Sequence, residues 1–204
     1  MSKPKIMTTP NFTIDSPSHT KIADNNELFT LWQRNVVDRF KEKSNEEIRQ
    51  ELRATAQPFA VCFESWRGDF NIATGVRNAN GFNVKEVFYI GQKSLDRRGM
   101  MGVQNYTNIT WLSSMEELLE LKNKYVFVGV DNVPGSIPME NYTYADNSLL
   151  IFGEESCGLT PTIQSLCKDI IHINMKGSVR SFNCGTASGI AMYDISKKLA
   201  ELKK

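Results

Sequence analysis

Residues 148–167 read Ser-Leu-Leu-Ile-Phe-Gly-Glu-Glu-Ser-Cys-Gly-Leu-Thr-Pro-Thr-Ile-Gln-Ser-Leu-Cys. The first five form a short apolar run stopped by glycine, which reads as a buried strand rather than a helix. Thr160 followed by Pro161 opens a helix: threonine caps free N–H groups, and proline loses nothing at the first helical position. Strand, glycine-bearing loop and helix within twenty residues make half of a βα unit. Exposed backbone N–H and C=O groups collect at the carboxyl end of such a strand, where open α/β sheets bind ligands.

The same grammar extends in both directions. Downstream, a run at 170–173 leads through Ile173-Asn174-Met175-Lys176-Gly177-Ser178-Val179-Arg180-Ser181-Phe182-Asn183 into a helix expected over 183–203, with Ala187, Ile190, Ala191, Ile195, Leu199 and Leu202 along one stripe. Upstream, strands are expected at 59–64, 86–90 and 125–130. Helices are expected at 73–82, at 115–123 behind a Ser114/Glu117 capping box, and at 161–167. Apolar runs alternating with helical segments define an α/β fold: a mainly parallel sheet with helices on both faces.

Before this region the pattern is helical only. Phe29, Trp32, Val36 and Phe40 recur at helical spacing, predicting an amphipathic helix over 25–43. Ser44 and Glu47 form a capping box for a second helix ending near Ala56, before Pro58. Its Arg34, Arg39, Lys41, Lys43, Arg49 and Arg53 are interspersed with Asp38, Glu42, Glu46, Glu47 and Glu51, a mixture that a solvated face explains. The expected organisation is a flexible leader at 1–24, a helical extension at 25–57 and an α/β domain at 58–204.

At 204 residues, 41% hydrophobic and 23% charged, the chain suits one well-buried core. A formal net charge of +1 exerts no global pull on nucleic acid or membrane, so an anionic partner needs a local patch. Cys62, Cys157, Cys167 and Cys184 form no C-x-x-C pair, and only two histidines exist, so no metal site is expected. Without an apolar leader or membrane-length run, a cytoplasmic, reducing compartment and no membrane partner are expected.

Each candidate site residue also has a plain structural reading. Glu154 and Glu155 beside Gly153 and Gly158 are either solvated or part of a site, but they would repel phosphate. Asn174, Ser181 and Asn183 can rigidify the third loop, and Asn183 can cap the last helix. Met175 and Phe182 offer apolar walls for a flat ring. Arg77 reads as a surface charge on a helix, Asn71 as an N-cap and His172 as a satisfied core histidine. Arg67, Arg97 and Arg98 flank the first two strands, where an RNA backbone could meet them.

Taken together, three segments resemble the motifs of the SpoU-type (TrmH-like) RNA 2′-O-ribose methyltransferases of the SPOUT class. The first motif, N-x-G-x-x-x-R, is matched by Asn71 and Arg77, with Ala73 where glycine is usual. The second, G-[NTSP]-E-x-x-G-L, is matched by Gly153, Glu155, Gly158 and Leu159, with Glu154 in the position commonly occupied by asparagine. The third, I-x-[IP]-M-x-G-x-x-x-S-L-N, is matched by Ile173, Met175, Gly177, Ser181 and Asn183, with Asn174 replacing proline and Phe182 replacing leucine.

The resemblance spans about 58–204. It implies a deep C-terminal trefoil knot, bound S-adenosyl-L-methionine, an obligate homodimer and RNA methylation at a ribose 2′-OH. It assigns catalysis to Arg77, Asn71, Glu155, Ser181 and Asn183, and cofactor binding to Phe152, Gly153, Glu154, Gly158, Ile173, Met175, Ser181, Phe182 and Asn183. Transfer RNA is the expected substrate, since no separate RNA-binding domain precedes the catalytic part. Ribosomal RNA, and a catalytically silent RNA-binding relative, are the alternatives.

Overall fold

In the computed structural model, which describes residues 35–64, 69–95 and 98–202, seven strands build one sheet. They are β1 (Gln57–Phe63), β2 (Val84–Ile90), β3 (Ile109–Leu112), β4 (Val126–Val130), β5 (Ile137–Pro138), β6 (Ser148–Phe152) and β7 (Asp169–His172). Their order is β3-β2-β1-β6-β4-β7-β5, and every neighbouring pair is parallel. The helices are α1 (Asn45–Ala54), α2 (Asp69–Gly81), α3 (Met115–Glu120), α4 (Pro161–Leu166) and α5 (Cys184–Glu201).

Successive side chains of a strand point to opposite faces. On β1, Phe59, Val61 and Phe63 enter one core with Ile72, Val76 and Ala79 of α2 and with Ala191, Met192, Ile195 and Leu199 of α5. Ala60 and Cys62 enter the other, with Leu118 of α3 and Ile163 of α4. Burial on both faces explains why the central strands read as unbroken apolar runs. Each fully buried Phe, Leu or Ile contributes about 1.5–3 kcal/mol of transfer free energy.

Helices α2 and α5 pack closely because small residues meet there. A Cβ on Gly185 would stand 2.9 Å from the Thr74 side chain. Asn78 donates through Nδ2 to the Gly185 carbonyl at 2.8 Å and to Ser188 Oγ at 3.1 Å.

Three expectations need correction. The helix predicted over 25–43 does not run through its described part, 35–43, which holds only a 3-10 turn at Asp38–Phe40. Ser44 must be extended to cap α1 (φ −65°, ψ 160°), and Phe40 turns inward to pack with Ile48 and Tyr106. Residues 25–34 lie outside the described residues. Helix α2 begins at Asp69, so Asn71 is its third residue rather than its N-cap. Strands β3 and β5, unforeseen in the sequence, form the two edges of the sheet.

The capping box does form: the Ser44 side chain accepts from Glu47 N, and Glu47 accepts from Ser44 N at 2.8 Å. Asn83, at φ 50°, ties α1 to the sheet by donating to the Leu52 carbonyl and Thr55 Oγ1, each at 3.1 Å.

Candidate functional site

The loop after β6 is closed on itself. Glu154 N donates to the Gly158 carbonyl at 3.0 Å, and Gly158 N donates back at 2.7 Å. So tight a bridge demands glycine at 158 and just before it at 153. A Cβ on Gly153 would overlap the Gly158 backbone, and one on Gly158, at φ 70°, would overlap the Asp131 carboxylate. Asp131, just past β4, accepts from Leu159 N at 2.8 Å and from Asn132 N at 2.7 Å. Glu64, buried past β1, accepts from Thr160 N at 3.0 Å. Two carboxylates from the strands on either side of β6 thus fix the loop through its backbone.

The third loop is stitched to its neighbours. Asn132 donates through Nδ2 to the Arg180 carbonyl at 3.0 Å. At its end, Asn183 Oδ1 accepts from Gly185 N at 2.9 Å and Thr186 N at 3.3 Å, capping α5. That fixes the amide's orientation, because only oxygen can accept from those N–H groups. Its Nδ2 then donates to Asn71 Oδ1 at 2.8 Å and to Glu155 Oε1 at 3.0 Å. Asn71 Nδ2 donates to Glu155 Oε2, closing a three-residue ring. Helix α2, the loop after β6 and the start of α5 meet in these three side chains.

Beside the ring lies a cleft of about 430 Å³, at the carboxyl ends of β4, β6 and β7. Of the candidate site residues, Gly153, Glu154, Glu155, Gly158, Ile173, Ser181 and Phe182 line it. Asn71 and Asn183 stand in the ring joined to its Glu155 wall. Phe152 and Met175 do not line the cleft: the Phe152 ring is buried in the core, stacked on Phe63 at 5.4 Å.

Arg77 is exposed on α2 and, among the described residues, makes no hydrogen bond or ion pair. Asn71 and Glu155, assigned to catalysis along with it, bond each other and Asn183 rather than its guanidinium. Arg67 and Arg97 lie outside the described residues, and Arg98 begins a 3-10 turn.

Asp131, Asn132 and Cys184 also line the cleft and were missed. Asp131 was discoverable, since a carboxylate one residue past an apolar strand stands at the ligand end of the sheet. His172, read as a core histidine, is partly exposed on the cleft wall, with Nδ1 2.9 Å from Ser136 Oγ and Nε2 3.3 Å from Asn174 Oδ1. Burial, reinforced by the Glu155 and Asp131 charges, pushes the Cys184 thiol up to about 12, so it remains protonated and donates to the Gly153 carbonyl at 3.2 Å. Among the described residues no group of three possible metal ligands occurs, and no helix is long and apolar enough to cross a membrane.

Three carboxylates facing one arginine, Arg180, and the glycine-shaped loop at 153–158 make a cleft suited to a ligand whose charge is mainly cationic. Fold and cleft together define an α/β protein whose ligand site is built by loops at the carboxyl edge of the sheet and closed by the last helix. The model of the SpoU rRNA Methylase family matches residues 58–193, and the chain belongs to that family.

It is 24% identical over 166 residues to the tRNA (guanosine(18)-2'-O)-methyltransferase of Aquifex aeolicus, covering 78% of this chain and 79% of that one. It is 32% identical over 63 residues to the 23S rRNA (guanosine-2'-O-)-methyltransferase RlmB of Acinetobacter baylyi, a match covering 31% of this chain and a quarter (25%) of that protein's length. Among solved structures, the A. aeolicus TrmH/SpoU tRNA modifying enzyme superposes with a TM-score of 0.69 at 21% identity, over 78% of this chain and 86% of that one. The SpoU methyltransferase AviRb from Streptomyces viridochromogenes, in complex with the cofactor AdoMet, gives 0.63 at 21% identity, over 69% and 57%.

Proposed function

We propose that this chain methylates a ribose 2′-OH of RNA, with S-adenosyl-L-methionine as donor and transfer RNA as substrate. The observation that carries the reading is the Asn71–Glu155–Asn183 ring, which joins all three motif-bearing segments at the wall of one cleft. The Aquifex relative, matched over most of both chains, favours transfer RNA. The family's description and the Acinetobacter relative keep ribosomal RNA as the second reading.

The donor set fits the cofactor. Asp131, Glu154 and Glu155 suit a molecule bearing sulfonium and ammonium charges, whereas they would repel a phosphate. The 153–158 loop, Ile173, Ser181 and Phe182 would hold it. S-adenosyl-L-methionine supplies, when bound, a methyl group on an already activated sulfur. The protein's task is therefore alignment, which can account for most of the rate. Asn183 and Asn71 fix the Glu155 carboxylate, and Glu155 retains lone pairs to orient a ribose hydroxyl. The Arg77 guanidinium has hydrogen-bond donors and no acceptor. In this proposal it anchors the target phosphate and polarises the 2′-OH, whose proton passes to that phosphate or to water.

The proposal includes a C-terminal trefoil knot and a homodimer. Support for the knot is the path of 173–183, bonded to the loops after both β4 and β6 before α5 returns to α2. Support for the dimer is the exposure of Tyr193 (60%) on α5 and of Leu202 (67%) just past its end, and an exposed Arg77 with room for a second copy's RNA. A reducing, cytoplasmic setting accords with four free thiols.

The test is incubation with total RNA and methyl-labelled donor, then mapping of nuclease-resistant 2′-O-methyl linkages. Label in ribose, lost with Arg77→Ala and Arg77→Lys while donor still binds, is the expected result. Label in a base, or parental transfer by both variants, overturns the assignment.

A further inference from the structure

At the opposite, amino-terminal edge of the sheet, a second pocket of about 220 Å³ is closed by α1, which precedes the family-matched residues. Its charged lining is Arg49, Arg53 and Lys85, with no carboxylate among the lining residues. Arg49 is held in place, donating through Nε to the Asn105 carbonyl at 2.6 Å and pairing with Glu46 at 3.4 Å. The Arg53 and Lys85 side chains are exposed and, among the described residues, make no hydrogen bond or ion pair. Glu86, the neighbour of Lys85, is already engaged by Lys124 and Tyr125.

The cations do not hang on a loose appendage. Asn83 bonds the C-terminal end of α1 to the sheet, and Phe40, Ile48 and Tyr106 bury the helix's apolar side. Asn80 and Asn108 add polar side chains to the wall. The C-terminal ends of α1 and α2 face this side and bring about half a negative charge each, which Arg53 and Lys85 outweigh even with Arg49 paired to Glu46. Desolvated partly by the pocket walls, such a cluster favours an oxyanion over water.

Helix α2 connects this pocket to the cleft. Nine helical rises separate Asn71, in the ring, from Asn80, on the pocket wall, about 14 Å. Arg77 lies three residues before Asn80 and three after the exposed Thr74, so all three share one side of the helix. Asn71 itself lies half a turn round the helix from Asn80, so a polyanion reaching from the pocket to the ring would wind round α2 past Arg77. The two ends of the sheet are also opposite in charge: acidic where a cationic donor would sit, basic here.

We infer that the Arg49–Arg53–Lys85 pocket binds a phosphodiester of the substrate RNA upstream or downstream of the methylated nucleotide, an inference that rests on the RNA-substrate reading above. Phosphate contacts fix register without reading sequence.

The probe is unfractionated transfer RNA in fluorescence anisotropy without methyl donor, comparing the full chain with Arg53→Ala/Lys85→Ala and Arg53→Glu/Lys85→Glu. The expected result is affinity about ten-fold weaker for the alanine pair at about 0.15 M salt, and weaker still for the glutamate pair. The slope of log affinity against log salt becomes shallower by about 1–2. Donor affinity by calorimetry and the melting temperature stay parental. Unchanged RNA affinity and slope in both variants overturn the pocket while leaving the methyl-transfer site standing. Absence of RNA binding by the parental chain overturns both. If about 10 mM inorganic phosphate raises the melting temperature of the parental chain only, yet RNA affinity ignores the substitutions, the pocket belongs to a free anion and the RNA assignment falls.

Discussion

Asn183 donates through Nδ2 to Oδ1 of Asn71 at 2.8 Å, across 112 residues of sequence. The other end of the same amide caps α5. One side chain therefore sets both where the last helix begins and how the cleft wall is held, so helix position and site geometry cannot vary independently.

Two substitutions at this position separate those roles. Asn183→Ala loses the cap, which costs about 1 kcal/mol, or about 2–4 °C of melting temperature in a domain this size. Asn183→Asp keeps the cap, since aspartate accepts equally well. Its second oxygen, however, replaces the donor facing Glu155 Oε1 and Asn71 Oδ1, putting acceptors against each other. Calorimetry with S-adenosyl-L-methionine should show a larger loss of donor affinity for Asn183→Asp than its melting temperature alone would suggest. Parental binding by that variant would separate the ring from the donor site.

The glycines of the second and third motif segments are not equivalent. Gly153→Ala forces a Cβ into the backbone of Gly158, which cannot yield without breaking the bridge that closes the loop. A Cβ on Gly177 meets nothing within 4 Å, and its φ is not positive. Gly153→Ala is expected to destabilise by more than about 2 kcal/mol and to abolish donor binding, as backbone overlap costs more than a missing cap. Gly177→Ala should stay within about 0.5 kcal/mol of parental stability. Thermal melts of the two variants side by side decide this. An equal drop would mean that the third loop is tighter than the geometry indicates.

The difference between those glycines was invisible in the sequence, where both simply occupy motif positions. Strands β1, β4 and β6 were legible because they are apolar over nearly their whole length, and β2 and β7 through the apolar stretches 87–90 and 170–171. The edges were not: β3 is four residues with one buried side chain, and β5 is an Ile-Pro pair. Short, one-sided edge strands carry little period-two signal, and proline is tolerated there because its missing N–H faces away from the sheet. In the site, motif spacing brought Asn71, Glu155 and Asn183 together correctly. It could not reveal that Phe152 turns into the core, because strand parity relative to the sheet is set by the neighbours Phe63 and Val130.

Acid sensitivity should concentrate at Glu86. Burial raises its carboxyl, but hydrogen bonds from Lys124 and Tyr125 and the charges of Lys124 and Lys85 more than offset this and hold it below the ordinary 4.5. A carboxylate held low contributes stability that is present above its unfolded value and is lost as pH falls through the folded one. The loss therefore begins near pH 4.5 and grows below it. Glu86→Gln keeps an acceptor for Tyr125 but cannot titrate. Its melting temperature should fall less than that of the parental chain between pH 6 and pH 3, in a window spanning about three units. Parallel acid limbs for the two proteins would place the sensitivity elsewhere.

Cysteine chemistry gives an independent view of the cleft. Burial pushes Cys167 and Cys184 each up to about 12, so neither forms thiolate at pH 8, and Cys62 is pushed up by burial as well. Cys157 is exposed and lines the cleft between Glu154 and Gly158. The thiolate is the reactive species, and access governs the rest. Limited iodoacetamide treatment should therefore label Cys157 first, as read by peptide mass spectrometry, and leave Cys62 and Cys184 intact until the chain unfolds. Because Cys157 shares the cleft with the donor-binding loops, saturating S-adenosyl-L-methionine should slow its labelling several-fold without changing the order. Labelling of Cys157 at an undiminished rate, with donor shown by calorimetry to be bound, would put the donor outside the pocket walled by Gly153, Glu155 and Phe182.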